Sequence, residues 1–376
     1  MRYKTVVAAV LAIFGFGNAC PGTPLRPGDF LSLGPLPAGG FEIDTDALTF
    51  GGAAGGVLHT QGGGAPDIAV FVFDGGGVLA SGDNITVTGG NALALLFQGS
   101  ATLAGTIDVS GANGLDAIQN VVTGIGGSGV AGGGRGGNGG PFSSGQDGVG
   151  PGRGVAGSSS ASVSGVGSGA GAGFGTMGGQ GGAGVTTREG GAPYGDPLRD
   201  LLFAGSGGGG GGGQSNQRLG GGGGAGGGAL EIGAQTSLGF VGATILANGG
   251  DGANGFADGG GGSGGAIVLH GFEVSVDLNS LIQASGGVGG EVPNMGGCGG
   301  AGRIEILHHP DGEFVDLGVI EAHAGAAGDC VDGEPVLTIS ADVGVPEPSG
   351  LATAVLLLGL GGRRLGPGGR RAARSE

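Results

Sequence analysis

The stretch Ala229-Leu230-Glu231-Ile232 returns as Ala266-Ile267-Val268-Leu269 and again as Arg303-Ile304-Glu305-Ile306. Both steps are 37 residues long (266 − 229 and 303 − 266). A second anchor follows each copy in steps of 37 and 38 residues, and its central residues are Ile245, Ile282 and Ile320. A fixed period with apolar anchors is typical of a solenoid, in which each repeat buries its apolar face on its neighbours.

Alternate residues within the anchors are apolar, which predicts short strands with one buried face. The inward pairs are Ile245/Ala247, Ile282/Ala284 and Ile320/Ala322, and the outward residues include Asn248, Gln283, Ser285, Glu321 and His323. A third apolar cluster lies between the two anchors of each repeat, at Leu238/Phe240, Val274/Val276 and Phe314/Leu317. Three strands per repeat predict a right-handed parallel β-helix, a solenoid of the pectin-lyase-like kind, over residues 41–340.

A shorter version of the repeat occurs earlier in the chain, where residues 85–89 match residues 107–111 at a spacing of 22. Further strands are predicted at 41–43, 68–73, 93–97 and 336–339. The 15-residue difference between the two spacings is close to the length of the Gly-rich runs 249–265 and 286–302. The sequence therefore predicts a 22-residue coil with Gly-rich loops inserted in the later turns. Stacking would place four residues at equivalent outward sites: Asp108, Leu246, Gln283 and Glu321.

The low-complexity insertion at about 111–228 is open to two interpretations. Glycine has the largest entropy cost of ordering, which favours a mobile, solvent-exposed loop. Glycine segments can also pack closely as polyproline-II-like strands, because no side chain keeps their backbones apart. The many Gly-x-Gly spacings do not indicate a nucleotide site, since no strand-to-helix pattern and no lysine accompany them.

The charge of the chain excludes several classes of partner. The net charge is −16, and residues 21–349 contain 7 Arg, no Lys and 29 Asp or Glu. A surface this acidic repels nucleic acid and anionic lipid. We therefore expect no nucleic-acid partner, and we expect membrane contact only through the terminal segments.

The N-terminus is typical of a secretory signal peptide over residues 1–19. Arg2 and Lys4 precede an apolar run at 6–14, and small residues lead to a cleavage site between Ala19 and Cys20. Cys20 leaves open a second outcome, acylation as a lipoprotein. Residues 20–40 form an irregular, proline-rich lead-in.

Two sets of polar residues are candidate ion sites. Seven aspartates in Gly-rich turns suit either calcium or plain turn chemistry: Asp251, Asp258, Asp277, Asp311, Asp316, Asp329 and Asp332. The group Glu305, His308, His309, Asp311 and His323 suits either a transition metal or a polar strand end. No ligand spacing of a known site is matched, so we predict no cofactor and no metal site, with calcium as the one ion to consider.

Catalytic residues are not predicted. Outward carboxylates such as Asp108 and Glu321 are not expected to meet, and Arg303 with Glu305 suits a surface ion pair. Cys298 and Cys330 flank the last coil and are a possible disulfide in an oxidising compartment.

The C-terminal segment 341–376 has three parts. The motif Val345-Pro346-Glu347-Pro348-Ser349 precedes an apolar run at 351–360 and an Arg-rich end that begins with Arg363 and Arg364. This order resembles the PEP-CTERM sorting signal of exopolysaccharide-producing Gram-negative bacteria. The resemblance implies transient anchoring in the inner membrane, recognition by an exosortase-type protease and removal of the tail near residues 346–348.

These features predict a secreted, non-enzymatic cell-surface or extracellular-matrix protein that associates with exopolysaccharide. Two alternatives remain open: a carbohydrate-active β-helix enzyme, either a polysaccharide lyase or a hydrolase, and a calcium-dependent adhesin.

Overall fold

The structure is a computed structural model that describes residues 24–160, 165–182, 188–195, 201–214, 217–290, 295–326 and 337–341. The described chain is all-β, apart from one turn of 3-10 helix at Pro27–Asp29. Its strands form three sheets, which we call A, B and C.

Each sheet takes one strand from every repeat. Sheet A contains β1 (Phe41–Asp44), β2 (Thr49–Phe50), β3 (Ala53–Ala54), β7 (Asn84–Thr88), β10 (Thr106–Asp108), β13 (Thr244–Leu246), β16 (Leu281–Gln283) and β19 (Val319–Glu321). Sheet B contains β4 (Val57–His59), β5 (Ile68–Asp74), β8 (Ala92–Gln98), β11 (Ala229–Ala234), β14 (Ala266–Gly271), β17 (Arg303–His308) and β20 (Leu337–Ala341). Sheet C contains β6 (Gly77–Leu79), β9 (Ala101–Leu103), β12 (Ser237–Phe240), β15 (Glu273–Val276) and β18 (Phe314–Asp316).

The strand register confirms the repeat. Strands β11, β14 and β17 pair in parallel, with Ala229 opposite Ala266 and Ala266 opposite Arg303. Ile107 pairs with Ile85 on one side and with Ile245 on the other, so the early and late coils are equivalent. The all-β architecture with stacked parallel sheets is the one that the sequence predicts.

The inward side chains of the three sheets form one continuous core. Ile245, Ile282, Ile232 and Leu269 are all fully buried, because each coil covers the apolar face of the next. One predicted core position is wrong: Leu317 is 57% exposed, and Asp316 takes the place opposite Val276. The reason is an extra turn before β18, which puts Phe314 opposite Val274 at a spacing of 40 residues (314 − 274).

The Gly-rich chain between sheets A and B folds into a bundle of extended segments. In segment 205–213, every third backbone N–H donates to the same neighbouring segment. The donors Gly205, Gly208 and Gly211 bond to the carbonyls of Gly227, Gly224 and Gly221 at 2.8–2.9 Å. A period of three residues is that of a polyproline-II helix. The other residues of the same segment bond to other neighbours, so it is surrounded by six segments: 134–140, 143–149, 154–157, 167–170, 221–227 and 260–263.

Segments 220–228 and 258–264 are enclosed in the same way. All three central segments are buried along their length. Glycine is required there because the backbones approach too closely for a side chain. A Cβ atom at Gly208 would fall on the carbonyl oxygen of Gly260, and one at Gly224 would fall on that of Gly250. We call this part of the molecule the glycine bundle.

The glycine bundle decides between the two interpretations of residues 111–228. Solvent-exposed packing is wrong for residues 165–174 and 205–213, which are buried and hydrogen-bonded to neighbouring segments, whereas residues 115–123 and 141–147 lie mostly at the surface. The entropy cost of ordering glycine is offset by backbone hydrogen bonds and close packing in all directions. The Gly-rich runs 249–265 and 286–302 belong to the same bundle, which is therefore continuous with the coils.

The described part of the lead-in, residues 24–40, lies against the outer face of sheet B. The Leu33 N–H donates to the Val72 carbonyl at 2.8 Å, and the Asp74 N–H donates to the Gly34 carbonyl at 2.8 Å. Leu25 and Phe30 pack on a second apolar cluster formed by the outward residues of β5 and β8. Both faces of sheet B are thereby buried near the N-terminus.

Candidate functional site

The outward side chains of sheet A form the most ordered polar surface of the protein, which we call the polar face. Asp108 lies opposite Leu246, Leu246 opposite Gln283, and Gln283 opposite Glu321. This confirms the predicted row of outward sites. Side chains also join along it: the Asn248 amide donates to Gln283 Oε1 at 2.7 Å, and the Gln283 amide donates to Glu321 Oε1.

A second ladder runs where the polar face continues into the glycine bundle. Ser110 Oγ accepts from the Asn248 N–H at 3.0 Å, Asn248 Oδ1 accepts from the Ser285 N–H at 2.7 Å, and Ser285 Oγ accepts from the His323 N–H at 3.3 Å. Each side chain therefore binds the backbone of the next coil. The contacts hold neighbouring coils in register.

The same arrangement repeats three and six residues further on. Asn113 Oδ1 accepts from the Asp251 N–H at 2.8 Å, Asp251 Oδ1 from the Val288 N–H at 2.9 Å, and Asp116 Oδ1 from the Asn254 N–H at 2.8 Å. The sequence signal for this ladder is a polar residue at every third position, at 110, 113 and 116 and again at 248, 251 and 254. The repeat alone did not predict it.

The outward carboxylates do not form a catalytic pair. Asp108 and Glu321 share the row, but β13 and β16 lie between their strands. A strand spacing of about 4.8 Å separates them by roughly 14 Å, whereas the paired carboxylates of glycosidases lie about 5–9.5 Å apart. Asp108 Oδ1 accepts from the Ser110 N–H at 2.8 Å and so shapes the end of its own strand.

Three of the aspartates considered as calcium ligands bind backbone N–H groups. Asp251 belongs to the ladder, Asp258 Oδ1 accepts from the Gly255 N–H at 2.9 Å, and Asp316 Oδ1 accepts from the Gly318 N–H at 3.1 Å. Asp329 and Asp332 lie outside the described residues. Turn chemistry accounts for these side chains without an ion.

Asp277 has the most connected carboxylate of this set. Its Oδ1 accepts from the Gly242 N–H at 2.9 Å, from the Ser280 hydroxyl at 2.7 Å and from the Asn279 N–H at 3.1 Å. The Gly242 N–H, with the Ser280 hydroxyl second, lowers the pKa of the Asp277 carboxyl below its usual value. The residue thereby joins the turn of one coil to the turn of the coil before it.

Asp277→Asn is expected to weaken the protein more at neutral pH than at pH 2.5. A carboxylate with a lowered folded-state pKa contributes stability above its unfolded pKa of about 3.9, and that contribution is lost as the pH falls through the folded pKa. Calorimetric melting temperatures of both proteins at pH 7 and pH 2.5 provide the test. An equal difference at the two pH values would contradict the assignment.

The histidines near the last coil are aromatic partners. The ring of His309 stacks on Phe272 at 4.9 Å between centroids, and that of His308 stacks on Phe314 at 6.3 Å. The side chain of Asp311 is 86% exposed, and His323 pairs loosely with Glu321 at 3.8 Å. The described residues contain no group of three or more His, Cys, Asp or Glu side chains arranged to hold a metal ion.

A buried hydrogen-bonded pair that the sequence did not indicate lies on the outer face of sheet B. His270 Nε2 is 2.9 Å from Glu231 Oε1, and their side chains are 0% and 5% exposed. The same carboxylate oxygen accepts from the Leu25 N–H at 2.7 Å. His270 Nδ1 has no hydrogen-bond partner. Glu231 thus connects the lead-in to the centre of sheet B.

Arg303, for which the sequence predicts a surface ion pair with Glu305, lies against residues of the Gly-rich middle of the chain. Its guanidinium lies 5.2 Å from the centroid of Phe174 and donates to the Tyr194 carbonyl at 2.8 Å. The Tyr194 hydroxyl donates to the Ala204 carbonyl and accepts from Ser206 Oγ at 2.9 Å, and burial raises the pKa of this hydroxyl. The arginine therefore fastens the glycine bundle to sheet B.

Cys298 is buried and takes part in a disulfide bond. Cys330 and Cys20 lie outside the described residues, so the pairing with Cys330 remains a prediction. The signal cleavage site at Ala19 and Cys20, and the sorting residues Val345–Ser349, Arg363 and Arg364, also lie outside them. Within the described segments, no helix has the length and apolar character needed to cross a membrane.

The chain was compared with protein-family models, with curated proteins and with solved structures, and none of them matches it.

Proposed function

We propose that the protein is a secreted, non-enzymatic cell-surface or extracellular-matrix protein. Its body is a right-handed parallel β-helix of the pectin-lyase-like kind, extended by the glycine bundle. Export uses the N-terminal signal, and sorting uses the C-terminal signal and an exosortase-type protease. The polar face contacts extracellular polysaccharide.

The general preference for right-handed connections between parallel strands supports the proposed handedness. Each coil passes from sheet B to sheet C and then to sheet A, and the next coil pairs in parallel with it. Crossover connections between parallel strands are right-handed in about 98% of cases.

The functional proposal rests on one observation: polar side chains along this face bind the backbone of the adjacent coil. Asn248, Ser285 and Asp251 are engaged in binding the backbone of adjacent coils. The result is a flat, regular surface whose outward groups do not converge on one point. Such a surface suits an extended polar polymer, which presents hydroxyl groups at repeated intervals, better than a small substrate.

Binding and turnover measured on the same samples test the proposal. Purified protein is mixed with neutral and acidic exopolysaccharides, and bound polymer, new reducing ends and unsaturated products are followed. We expect binding without turnover. Gln283→Ala on the polar face is expected to weaken binding by about tenfold, or roughly 1.4 kcal/mol, whereas Asp311→Ala, exposed outside this face, should leave it unchanged.

Three results would contradict the proposal. Turnover that disappears with Asp108→Asn or Glu321→Gln would favour a carbohydrate-active enzyme. A large rise of the melting temperature with calcium, reversed by a chelator, would favour the calcium-dependent adhesin. Unchanged release from the membrane fraction after Pro346→Ala and Pro348→Ala would argue against sorting through the tail.

A further inference from the structure

Within the described residues, no further strand lies over the last coil of the stack. Leu337 and Ile339 of β20 pair with Ile304 and Ile306 of β17 and take the same inward positions. Ile304 is 1% and Ile306 0% exposed, whereas Leu337 is 36% and Ile339 43% exposed. Strands β18, β19 and β20 each stand at the end of their sheet in the described chain. We call this surface the open end.

The opposite end of the stack is closed. Strand β4 pairs with β5 in the antiparallel direction, and β2 and β3 extend the edge of β1 in the same way. Leu33, Leu36, Leu48 and Phe50 pack against the core there. Since solenoids need a cap at both ends to keep apolar surface from water, the open end requires an occupant.

We propose that residues 342–376 of the same chain cover the open end. Described structure stops at Ala341, the last residue of β20, so the following segment starts beside this surface. It contains the apolar run 351–360. Ten residues are too few to cross a bilayer as a helix, which takes about 20, but in extended form they reach about 33 Å, enough to cross the end of a coil.

Charge favours this occupant over a second copy of the chain. The last complete coil carries five carboxylates, Glu305, Asp311, Glu313, Asp316 and Glu321, against one arginine, Arg303, and the segment 342–376 carries five arginines and three carboxylates. The tail therefore brings opposite charge to an acidic surface. Two open ends placed face to face would instead bring like charges together.

The inference does not depend on the proposed function, because the tail can cover the open end whether or not it is a sorting signal. If the tail is removed near residues 346–348, the apolar run leaves with it. Sorting would then uncover the open end.

Hydrogen exchange of the full chain and two variants tests the proposal. One variant ends at Ala341, and the other keeps its length but carries Leu356→Ser, Leu357→Ser and Leu358→Ser. Amide exchange in 303–321 and 337–341 is expected to be at least tenfold faster in both variants. Exchange in 92–108 should not change, which shows that the remaining coils stay folded.

Equal protection of the last coil in all three proteins would overturn the proposal. The proposal would also be overturned if protection of the last coil depended on protein concentration to the same extent with and without the tail. That result would identify a second copy of the chain as the occupant. Faster exchange confined to the last coil, in monomeric protein, supports the tail.

Discussion

Gly208→Ala is expected to lower the free energy of unfolding by about 3 kcal/mol or more, because the new methyl group has no space. It would fall on the carbonyl oxygen of Gly260. Overpacking in a core costs about 1–3 kcal/mol when side chains can adjust. Here the obstacle is backbone that is itself hydrogen-bonded: the Gly260 carbonyl accepts from the Gly224 N–H at 2.9 Å. Calorimetry measures the change.

Gly28→Ala is the matched control. A Cβ atom at Gly28 would meet nothing within 4 Å, so the change should stay within about 0.5 kcal/mol. A loss of similar size in both variants would show that the cost does not come from the close approach of the two backbones at Gly208. A small loss in both would show that the glycine bundle is less tightly packed than described.

Glu231→Ala is expected to lower the free energy of unfolding by about 2–5 kcal/mol, because two polar groups lose their partner and a buried polar group left unsatisfied costs about 1–3 kcal/mol. His270 is fully buried and would keep no partner for Nε2, and the Leu25 N–H would lose its acceptor. Calorimetry gives the stability, and hydrogen exchange in 24–36 should rise because the lead-in loses this contact.

A double-mutant cycle with His270→Ala separates the pair from its surroundings. The double variant should be less destabilised than the sum of the single variants, because it removes both members of the pair and so leaves no His270 ring nitrogen without the Glu231 carboxylate. Additive effects would mean that the two side chains contribute independently and that the short contact between them has no energetic weight.

The stacked parallel sheets were predictable because their signal is local and repeated. Each strand alternates apolar and polar residues, and equivalent anchors such as Ile245 and Ile282 recur at a fixed spacing, so register follows directly from the sequence. The prediction of Leu317 as a core residue was wrong because one added turn before β18 shifted the strand pairing. Because the spacing changes in a single coil, comparison with the other coils could not reveal the change.

The glycine bundle was harder to predict because glycine has no side chain that could form a pattern. Its order resides in hydrogen bonds between segments far apart in the chain, such as Gly134 to Gly205. Burial of Glu231 depends likewise on Leu25, which is 206 residues away. Alternation placed Glu231 correctly on the outer face of its strand, but it could not show that the lead-in covers that face.

The glycine bundle also determines how this protein will look to spectroscopy. Polyproline-II conformation is a major component of unfolded chains, so far-ultraviolet circular dichroism of the bundle resembles that of disorder even when every segment is in place. Its amides are nevertheless bonded in a buried lattice, as with Gly211 to Gly221 at 2.9 Å. Slow exchange combined with a coil-like spectrum is therefore the signature of the folded molecule, and dichroism alone would report a well-packed protein as half unfolded.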